Sequence, residues 1–188
     1  APHIGLSRDF VIYDRNDQLT VMKQALKAEG LDDGAVPPRL ALSRISHIKN
    51  RMEGPGAFDD DSWNPRERHL GVLYERYTAA LTEANALDFD DLLLKSVDLF
   101  EKAPAVRDRY AGQFRFVMVD EYQDTNVLQA EILYRLKPDG NGVSVVGDDA
   151  QSIYSFRAAS VDNILTFPDR FEQKAKVVTL EQNYRSTQ

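Results

Sequence analysis

One stretch of the chain, residues 114–126, constrains the fold more than any other. It begins with an apolar run rich in Phe and Val, which is typical of a buried strand in a parallel sheet. Two adjacent carboxylates, Asp120 and Glu121, follow where the run ends, and Thr125 or Asn126 then supplies a helix cap. Ligands of open parallel sheets bind at the carboxyl ends of strands. The acidic pair therefore predicts a site for a hydrated Mg²⁺ that carries phosphates, although a solvated turn remains open on these residues alone.

The sequence after Pro104 alternates between helix-like and strand-like segments. A short helix runs to about Gly112, the strand described above follows, and residues 143–147 predict a second buried strand. Ser160 can cap another helix, and residues 177–180 predict a third strand. This βαβαβ order predicts an α/β fold with a parallel sheet and right-handed crossovers.

The first half of the chain predicts a small helical unit without a catalytic constellation. A short extended run at residues 10–13 precedes a helix that Asp17 caps and Gly30 ends. A second helix is predicted over residues 39–52, and a third over residues 64–86. The third helix carries a stripe of Leu and Tyr at helical spacing, which is predicted to lie in the core rather than to stack on bases.

Composition excludes several classes of protein. The chain has no cysteine, so it has neither a disulfide framework nor a thiolate metal site. No apolar run approaches the roughly 18 residues that a membrane span needs, and the N-terminus does not resemble a signal peptide. These features predict a cytoplasmic protein that has no membrane partner. The net charge of −7 argues against a broadly basic nucleic-acid wrapper, but it leaves room for a local groove or for base stacking.

A second chemically distinctive stretch, residues 146–159, follows the second predicted strand. Its Gln151 is an uncharged donor and acceptor that can contact a phosphate oxygen and a neighbouring strand end together. Tyr154 and Phe156 stand beside Arg157, a composition suited to stacking on single-stranded bases. A turn followed by aromatic core residues is the alternative interpretation.

A third stretch, residues 180–187, follows the last predicted strand. Arg185 could neutralise charge on a transferring phosphoryl group, and Tyr184 could stack on a purine. Without context, a surface Tyr–Arg pair at a strand end is the favoured interpretation.

Together the three stretches resemble motifs II, III and IV of superfamily 1 DNA helicases of the UvrD/Rep/PcrA family. The matching residues are 119–126, 146–159 and 180–187, in the family's order. Ala150 stands where the family usually has aspartate, and Ala158 where it usually has glycine. The resemblance implies an enzyme that uses ATP and Mg²⁺ to move 3′ to 5′ along single-stranded DNA and to unwind duplex DNA in repair or replication. Its implied partners are single-stranded and duplex DNA, together with repair or replication proteins.

The resemblance also implies a role for individual side chains. The residues that it assigns to catalysis are Glu121, Gln151 and Arg185. Those that it assigns to ATP binding are Asp120, Gln123, Gln151, Tyr184 and Arg185. Those that it assigns to DNA binding are Tyr154, Phe156 and Arg157. The implied metal ligands are Asp120 and Glu121.

The same resemblance implies three parts for the chain. Residues 1–87 would form a helical subdomain like domain 1B of these helicases. Residues 88–182 would form part of a RecA-like domain of the P-loop NTPase type, domain 1A, and residues 183–188 would begin domain 2A. From the local residues alone, Asp88 is predicted to cap the helix that follows it. The phosphate-binding pattern Gly-x-x-x-x-Gly-Lys-Ser/Thr does not occur in the chain, so it is expected before residue 1. The chain by itself is therefore expected to be inactive as an ATPase.

Two alternatives stay open at this stage. The chain could be the motor part of a helicase–nuclease subunit related to RecB or AddA, although residues 120–126 resemble the simpler helicases more closely. It could also be a non-catalytic module that binds DNA or protein and retains motor-like sequence.

Overall fold

A computed structural model describes residues 2–31, 34–58, 67, 69–151, 161–171 and 174–180 of the 188-residue chain. The described strands are β1 (Val11–Ile12), β2 (Ala86–Leu87), β3 (Val117–Val119) and β4 (Val143–Val145). The described helices are α1 (Arg15–Ala28), α2 (Pro38–Asn50), α3 (Leu70–Glu83), α4 (Phe89–Lys102), α5 (Pro104–Gln113), α6 (Val127–Leu136) and α7 (Val161–Thr166). Both strand pairs, β1–β2 and β3–β4, are parallel, so the fold is mixed α/β.

Helix α1 begins one turn earlier than the sequence predicts. Its N-cap is Asp14, whose side chain accepts hydrogen bonds from the backbone N–H groups of Asn16 and Asp17. The predicted cap, Asp17, lies inside the first turn and returns a hydrogen bond to the Asp14 backbone, which completes a capping box. Two acidic residues three apart can each be taken for the cap, and only the backbone path decides between them. Gly30 follows the helix with a φ of 69°, as predicted for its C-terminus.

Helices α1, α2 and α3 pack around the first hydrophobic cluster. The predicted stripe of α3 is buried, and Tyr77 is fully inaccessible, which confirms that these residues belong to the core. The buried members of the cluster are Met22, Ala25, Leu26, Val36, Ala41, Leu42, Ile45, Phe58, Leu70, Leu73, Tyr74, Tyr77, Leu81 and Ala86.

The end of α3 differs from the prediction. The helix stops at Glu83 rather than near Ala86, because Asn85 adopts a left-handed backbone with a φ of 46°. Ala86 then opens β2, and the carbonyl oxygen of Asn85 accepts a hydrogen bond from Val11 N at 3.1 Å. The predicted start of the helix, at residues 64 and 65, lies outside the described residues.

Strands β3 and β4 with the connecting α6 form the predicted parallel βαβ unit. Val117 pairs with Val143, and Val119 pairs with Val145. The second hydrophobic cluster, built around Tyr122, Leu133, Phe167 and Phe171, packs against one side of this pair. On the other side, Phe116 and Met118 are each 78% exposed. The prediction of a strand buried on both faces is therefore wrong for the described structure, and β3 is three residues long rather than six.

The predicted third strand is not formed. The described segment 174–180 has no strand, and Val178 and Leu180 are 67% and 84% exposed. A strand exists only when its backbone has a hydrogen-bonding neighbour, so apolar β-branched composition by itself was insufficient. The predicted cap Ser160 lies outside the described residues, whereas α7, the helix expected after it, is present.

Helix α4 connects the two halves, since it packs against both α2 and α6. Asp88 caps α4 as predicted, and its side chain accepts a hydrogen bond from Asp91 N at 2.8 Å. Helix α5 follows directly and matches the predicted helix between Pro104 and Gly112. Among the described helices, none combines the length and the apolar character that crossing a membrane requires.

Candidate active site

The carboxyl ends of β3 and β4 lie side by side. Val146 N donates to Val119 O at 2.8 Å, and Tyr122 N donates to Val146 O at 2.9 Å. The hydrogen-bonded pairing thus continues past the last strand residues. It brings the chain at Asp120 and Glu121 next to the chain that follows β4.

Glu121 makes a sharp turn at the end of β3. Its backbone is left-handed, with φ 50° and ψ 43°, which is uncommon for a residue other than glycine and costs on the order of 1–3 kcal/mol. Asp120 Oδ1 accepts a hydrogen bond from Glu121 N at 2.9 Å, which supports the turn. Both carboxylates are exposed at this edge. Strained backbone of this kind persists where the surrounding contacts hold it, and it is frequent at functional sites.

The buried side chain of Gln123 connects the ends of β3 and β4. Its side chain is only 2% exposed. Nε2 donates to Glu121 Oε2 at 2.7 Å, and Oε1 accepts from Asp148 N at 3.1 Å. A carboxamide is suited to this place because it offers a donor at one end and an acceptor at the other. Both ends are engaged within the chain, so Gln123 fixes the Glu121 carboxylate relative to β4.

Asp148 continues the same network toward Gln151. Its Oδ1 accepts from Ala150 N at 3.0 Å, and its Oδ2 accepts from Gln151 Nε2 at 2.7 Å. The sequence places the Asp148 carboxylate at the end of a strand, but the prediction gives it no role in the site. The signal that could have found it is an aspartate two residues before a polar turn, where its carboxylate can accept from the following backbone N–H groups.

Gly147 permits this close approach of the two strand ends. A Cβ at this position would lie 2.6 Å from Gln123 Oε1 and 2.7 Å from Ile164 Cδ1. Both distances are shorter than non-bonded carbon contacts allow. The hydrogen bond between Gln123 and Asp148 therefore depends on the absence of a side chain at residue 147.

Tyr122 anchors the turn in the second hydrophobic cluster. It is 1% exposed, and its hydroxyl lies 2.9 Å from that of Tyr134. Burial, with a smaller contribution from that hydrogen bond, raises the pKa of Tyr122 well above its ordinary value, so the phenol stays neutral. The ring packs edge-on against Phe167 at 5.3 Å between centroids. The segment that carries the two carboxylates is thus held on a rigid apolar base.

The described residues include part of the predicted site. Asp120, Glu121, Gln123 and Gln151 share one network at the sheet edge. The predicted residues that lie outside the described part are Tyr154, Phe156, Arg157, Tyr184 and Arg185. Within the described part, no group of three or more acidic or histidine side chains is arranged to hold a metal ion. Mg²⁺ is commonly held by one or two carboxylates together with substrate phosphates and water, and the exposed Asp120 and Glu121 offer donors of this kind.

Comparisons with known proteins identify the family of the chain. Residues 1–172 match the UvrD/REP helicase N-terminal domain. The chain is 38% identical over 187 residues to proteins named ATP-dependent DNA helicase PcrA from Staphylococcus epidermidis and from Staphylococcus aureus. Each match covers 100% of this chain but 26% of the relative, so the chain spans about a quarter of the length of these relatives. On the extent of these matches, the chain belongs to the UvrD/REP helicase family.

Proposed function

We propose that this chain carries part of the ATP-hydrolysing centre of a DNA helicase. The observation that carries the proposal is the network at the carboxyl edge of β3 and β4. There the exposed Asp120 and Glu121 are tied through the buried Gln123 to Asp148. Membership of the UvrD/REP helicase family supports it, as does the similarity to relatives named ATP-dependent DNA helicase PcrA. The network concerns the nucleotide site, so it does not by itself choose among DNA substrates.

In this proposal, Asp120 and Glu121 contribute ligands for Mg²⁺. The ion would neutralise charge on the phosphates as the terminal phosphoryl group is transferred. Glu121 orients the attacking water and accepts its proton, and Gln123 holds the Glu121 carboxylate in place for this step. Gln151 contacts the γ-phosphate from the neighbouring strand end, where its bond to Asp148 supports that position.

The remaining assigned residues extend the proposal to DNA and to the far side of the nucleotide. Tyr184 would stack on the adenine, and Arg185 would contact the γ-phosphate as an arginine finger. Tyr154, Phe156 and Arg157 would grip single-stranded DNA by stacking and by charge. The whole enzyme would translocate 3′ to 5′ and unwind duplexes in repair or replication.

The proposed division of the chain follows the two hydrophobic clusters. Residues 1–87 are proposed as a subdomain like domain 1B, which agrees with a first cluster drawn from residues 22–86. Residues 88–182 are proposed as part of a RecA-like domain 1A, in keeping with the second cluster around β3 and β4. Residues 183–188 are proposed as the start of domain 2A.

The decisive experiment measures DNA-stimulated ATP hydrolysis by the full-length gene product. Replacing the general base by Glu121→Gln should lower kcat by about 10²–10⁴-fold, because the amide cannot accept the proton. Nucleotide binding should persist in this variant. Glu83→Gln, at an exposed position of α3, is the charge-matched control and should keep full activity. A Glu121→Gln variant within about threefold of the wild-type kcat would refute the assigned role.

Two further measurements test the finer parts of the proposal. Unwinding of a duplex with a 3′ single-stranded tail, and not of one with a 5′ tail, is expected for 3′ to 5′ translocation. The 188-residue chain alone is expected to show no ATP turnover, because its sequence lacks the glycine-rich lysine loop that cradles phosphates. Turnover by the pure chain that is lost on Glu121→Gln would contradict this last expectation.

A further inference from the structure

A buried polar contact joins helix α2 to the segment that carries the two carboxylates. Asn50 is the last residue of α2, and its side chain is 7% exposed. Its Nδ2 donates to Ser46 O and to Asp90 Oδ1, each at 2.8 Å. Its Oδ1 accepts from Asn126 Nδ2 at 2.5 Å, across 76 residues of sequence. Each polar atom of the Asn50 side chain therefore has a partner on a defined element.

Asn126 uses the two ends of its side chain for different purposes. Oδ1 accepts from Gln129 N at 2.8 Å and so caps α6. The cap requires only an acceptor, which Ser or Asp supplies about as well. Nδ2 is the donor to Asn50, and neither Ser nor Asp can replace it in that geometry. The cap therefore does not explain the asparagine, whereas the contact with Asn50 does.

A short hydrogen-bonded turn connects Asn126 to Glu121. Thr125 donates twice to Tyr122 O, from its backbone N at 3.1 Å and from its hydroxyl at 2.6 Å. Asp124 N donates to Glu121 O at 2.8 Å. A displacement at Asn126 therefore passes through one tight turn to the strained backbone of Glu121.

Ion pairs of the neighbouring Lys49 hold the Asn50 side of the contact in place. Lys49, next to Asn50 in the chain, is 1% exposed and forms ion pairs with Asp88 at 2.8 Å and with Asp91 at 2.7 Å. These pairs bind the end of α2 to the start of α4. Asn50 is consequently held in place by the helical half of the chain, and it presents a fixed acceptor to Asn126.

We propose that Asn50 is a positioning residue for the segment that carries Asp120 and Glu121, and that it acts through Asn126. The functional consequence rests on the proposed ATPase role of Glu121. Through this contact, the position of the helical half of the chain fixes the position of the Glu121 turn at the proposed nucleotide site. Loss of the contact should let the turn at Glu121 move without unfolding the protein.

Two measurements test the proposal with Asn126→Ser, Asn50→Ala and their combination. In the 188-residue chain, amide hydrogen exchange of residues 120–125 should become about 10-fold faster in each single variant, while the thermal midpoint changes by only a few degrees. In the full-length gene product, kcat for ATP should fall about 10-fold with KM changed less than about twofold, because the base is misplaced. The combined variant should be no worse than the poorer single variant, since both break one contact.

Exchanging the residue types at positions 50 and 90 tests whether the lost contact can be restored. Asn50→Asp alone keeps an acceptor for Asn126 but places a carboxylate against Asp90, so it should weaken the junction. Combining it with Asp90→Asn restores a donor–acceptor pair between positions 50 and 90, but not the bond to Ser46 O, so it should recover exchange protection and kcat in part relative to Asn50→Asp alone. Asn16→Ser, at an exposed helix start, is the matched control and should change neither.

The outcomes separate this proposal from the ATPase proposal. Unchanged exchange of residues 120–125 in Asn126→Ser and Asn50→Ala would overturn the positioning role, whatever the activity. A kcat that falls only in proportion to the unfolded fraction would also overturn it. Faster exchange in a full-length protein whose wild type does not hydrolyse ATP would support the positioning role and refute the ATPase proposal.

Discussion

At the residue scale, the turn after β3 depends on the backbone of Glu121 and on the absence of a side chain at Gly147. Glu121 is a non-glycine residue in a left-handed conformation, whereas Gly147 is a glycine without a positive φ. The first is held by the hydrogen bonds around it. The second leaves no room for a Cβ, which would lie 2.6 Å from Gln123 Oε1, 2.7 Å from Ile164 Cδ1 and 3.2 Å from Tyr122 N. Steric exclusion, rather than backbone freedom, is thus the reason for glycine at residue 147.

We predict that Gly147→Ala destabilises the chain by about 1–3 kcal/mol, as other additions to a packed site do. The Gln123 side chain would have to move, and it cannot do so without losing its bond to Asp148. Urea unfolding followed by circular dichroism measures the change. The matched control is Gly112→Ala within α5, where nothing lies within 4 Å of the added Cβ. The control should gain about 0.5–1 kcal/mol from helix propensity. A loss of stability in both variants would contradict the steric argument.

At the scale of secondary-structure elements, Lys49 joins three helices. Its ammonium group pairs with Asp88 and Asp91 at the start of α4, and it lies 5.3 Å from the ring centroid of Tyr77 on α3. Tyr77 in turn donates its hydroxyl to Asp88 Oδ2 at 3.0 Å. Burial raises the pKa of Asp91, whereas the charge of Lys49 opposes that rise. The charge of Lys49 thus offsets part of the cost of burying this carboxylate.

We predict that Lys49→Met costs about 3–5 kcal/mol near pH 7, because buried carboxylates lose their partner. A carboxylic acid with a raised pKa in the folded state binds protons more readily when folded. The favourable contribution of Asp91 to the free energy of unfolding is complete below its ordinary pKa of 3.8. This contribution is lost as the pH rises through the raised pKa of the folded state. The deficit of the variant should therefore shrink as the pH falls from 7 toward 4. Urea unfolding at several pH values measures this trend.

Lys95→Met is the control for this prediction. Lys95 pairs with Asp98 on the surface of α4 at 3.3 Å, with both side chains about one-third exposed. Such pairs contribute about 0–1 kcal/mol, so this variant should show a small deficit that hardly changes with pH. A deficit of Lys49→Met that grows toward low pH would show that the sign of the argument is wrong.

At the scale of the whole molecule, the two hydrophobic clusters differ in how completely they are enclosed. The first lies among three helices, and Leu73 and Tyr77 are fully inaccessible. The second supports two strands of three residues each, and one side of that sheet leaves Phe116 and Met118 open to solvent. Regions with fewer buried apolar contacts open locally at lower free energy. The candidate active site lies on the less protected of the two.

We predict that the amides of Tyr122 and Val146 become open to hydrogen exchange at a lower cost in free energy than the amides of α3 do. Both form hydrogen bonds between the ends of β3 and β4, whereas α3 lies in the enclosed cluster. Their protection factors should be at least about 10-fold lower than those in the middle of α3. Native-state hydrogen exchange followed by NMR measures both sets in one sample. Equal protection at both places would indicate a single cooperative unit.

Much of the local structure could be predicted from the residues alone. The caps Asp88 and Asn126, the glycine after α1 and the buried face of α3 follow from short-range spacing. Two predictions failed for different reasons: the α1 cap was misplaced by three residues, and the strand at residues 177–180 does not form. The first arose because two acidic residues both satisfied the local pattern. The second arose because a strand depends on a neighbour that no local pattern supplies.

The sequence by itself determined the type and order of most elements and the stretch that bears the acidic pair. Helical periodicity, caps and motif spacing are properties of neighbouring residues, so they can be read along the chain. Only the tertiary structure decided that Gln123 joins Glu121 to Asp148, that residue 147 has no room for a side chain, and that Asn50 contacts Asn126. The contacts of Gln123 with Asp148, of residue 147 with Gln123 and of Asn50 with Asn126 join residues 24 or more positions apart, and their existence depends on how the strands and helices pack.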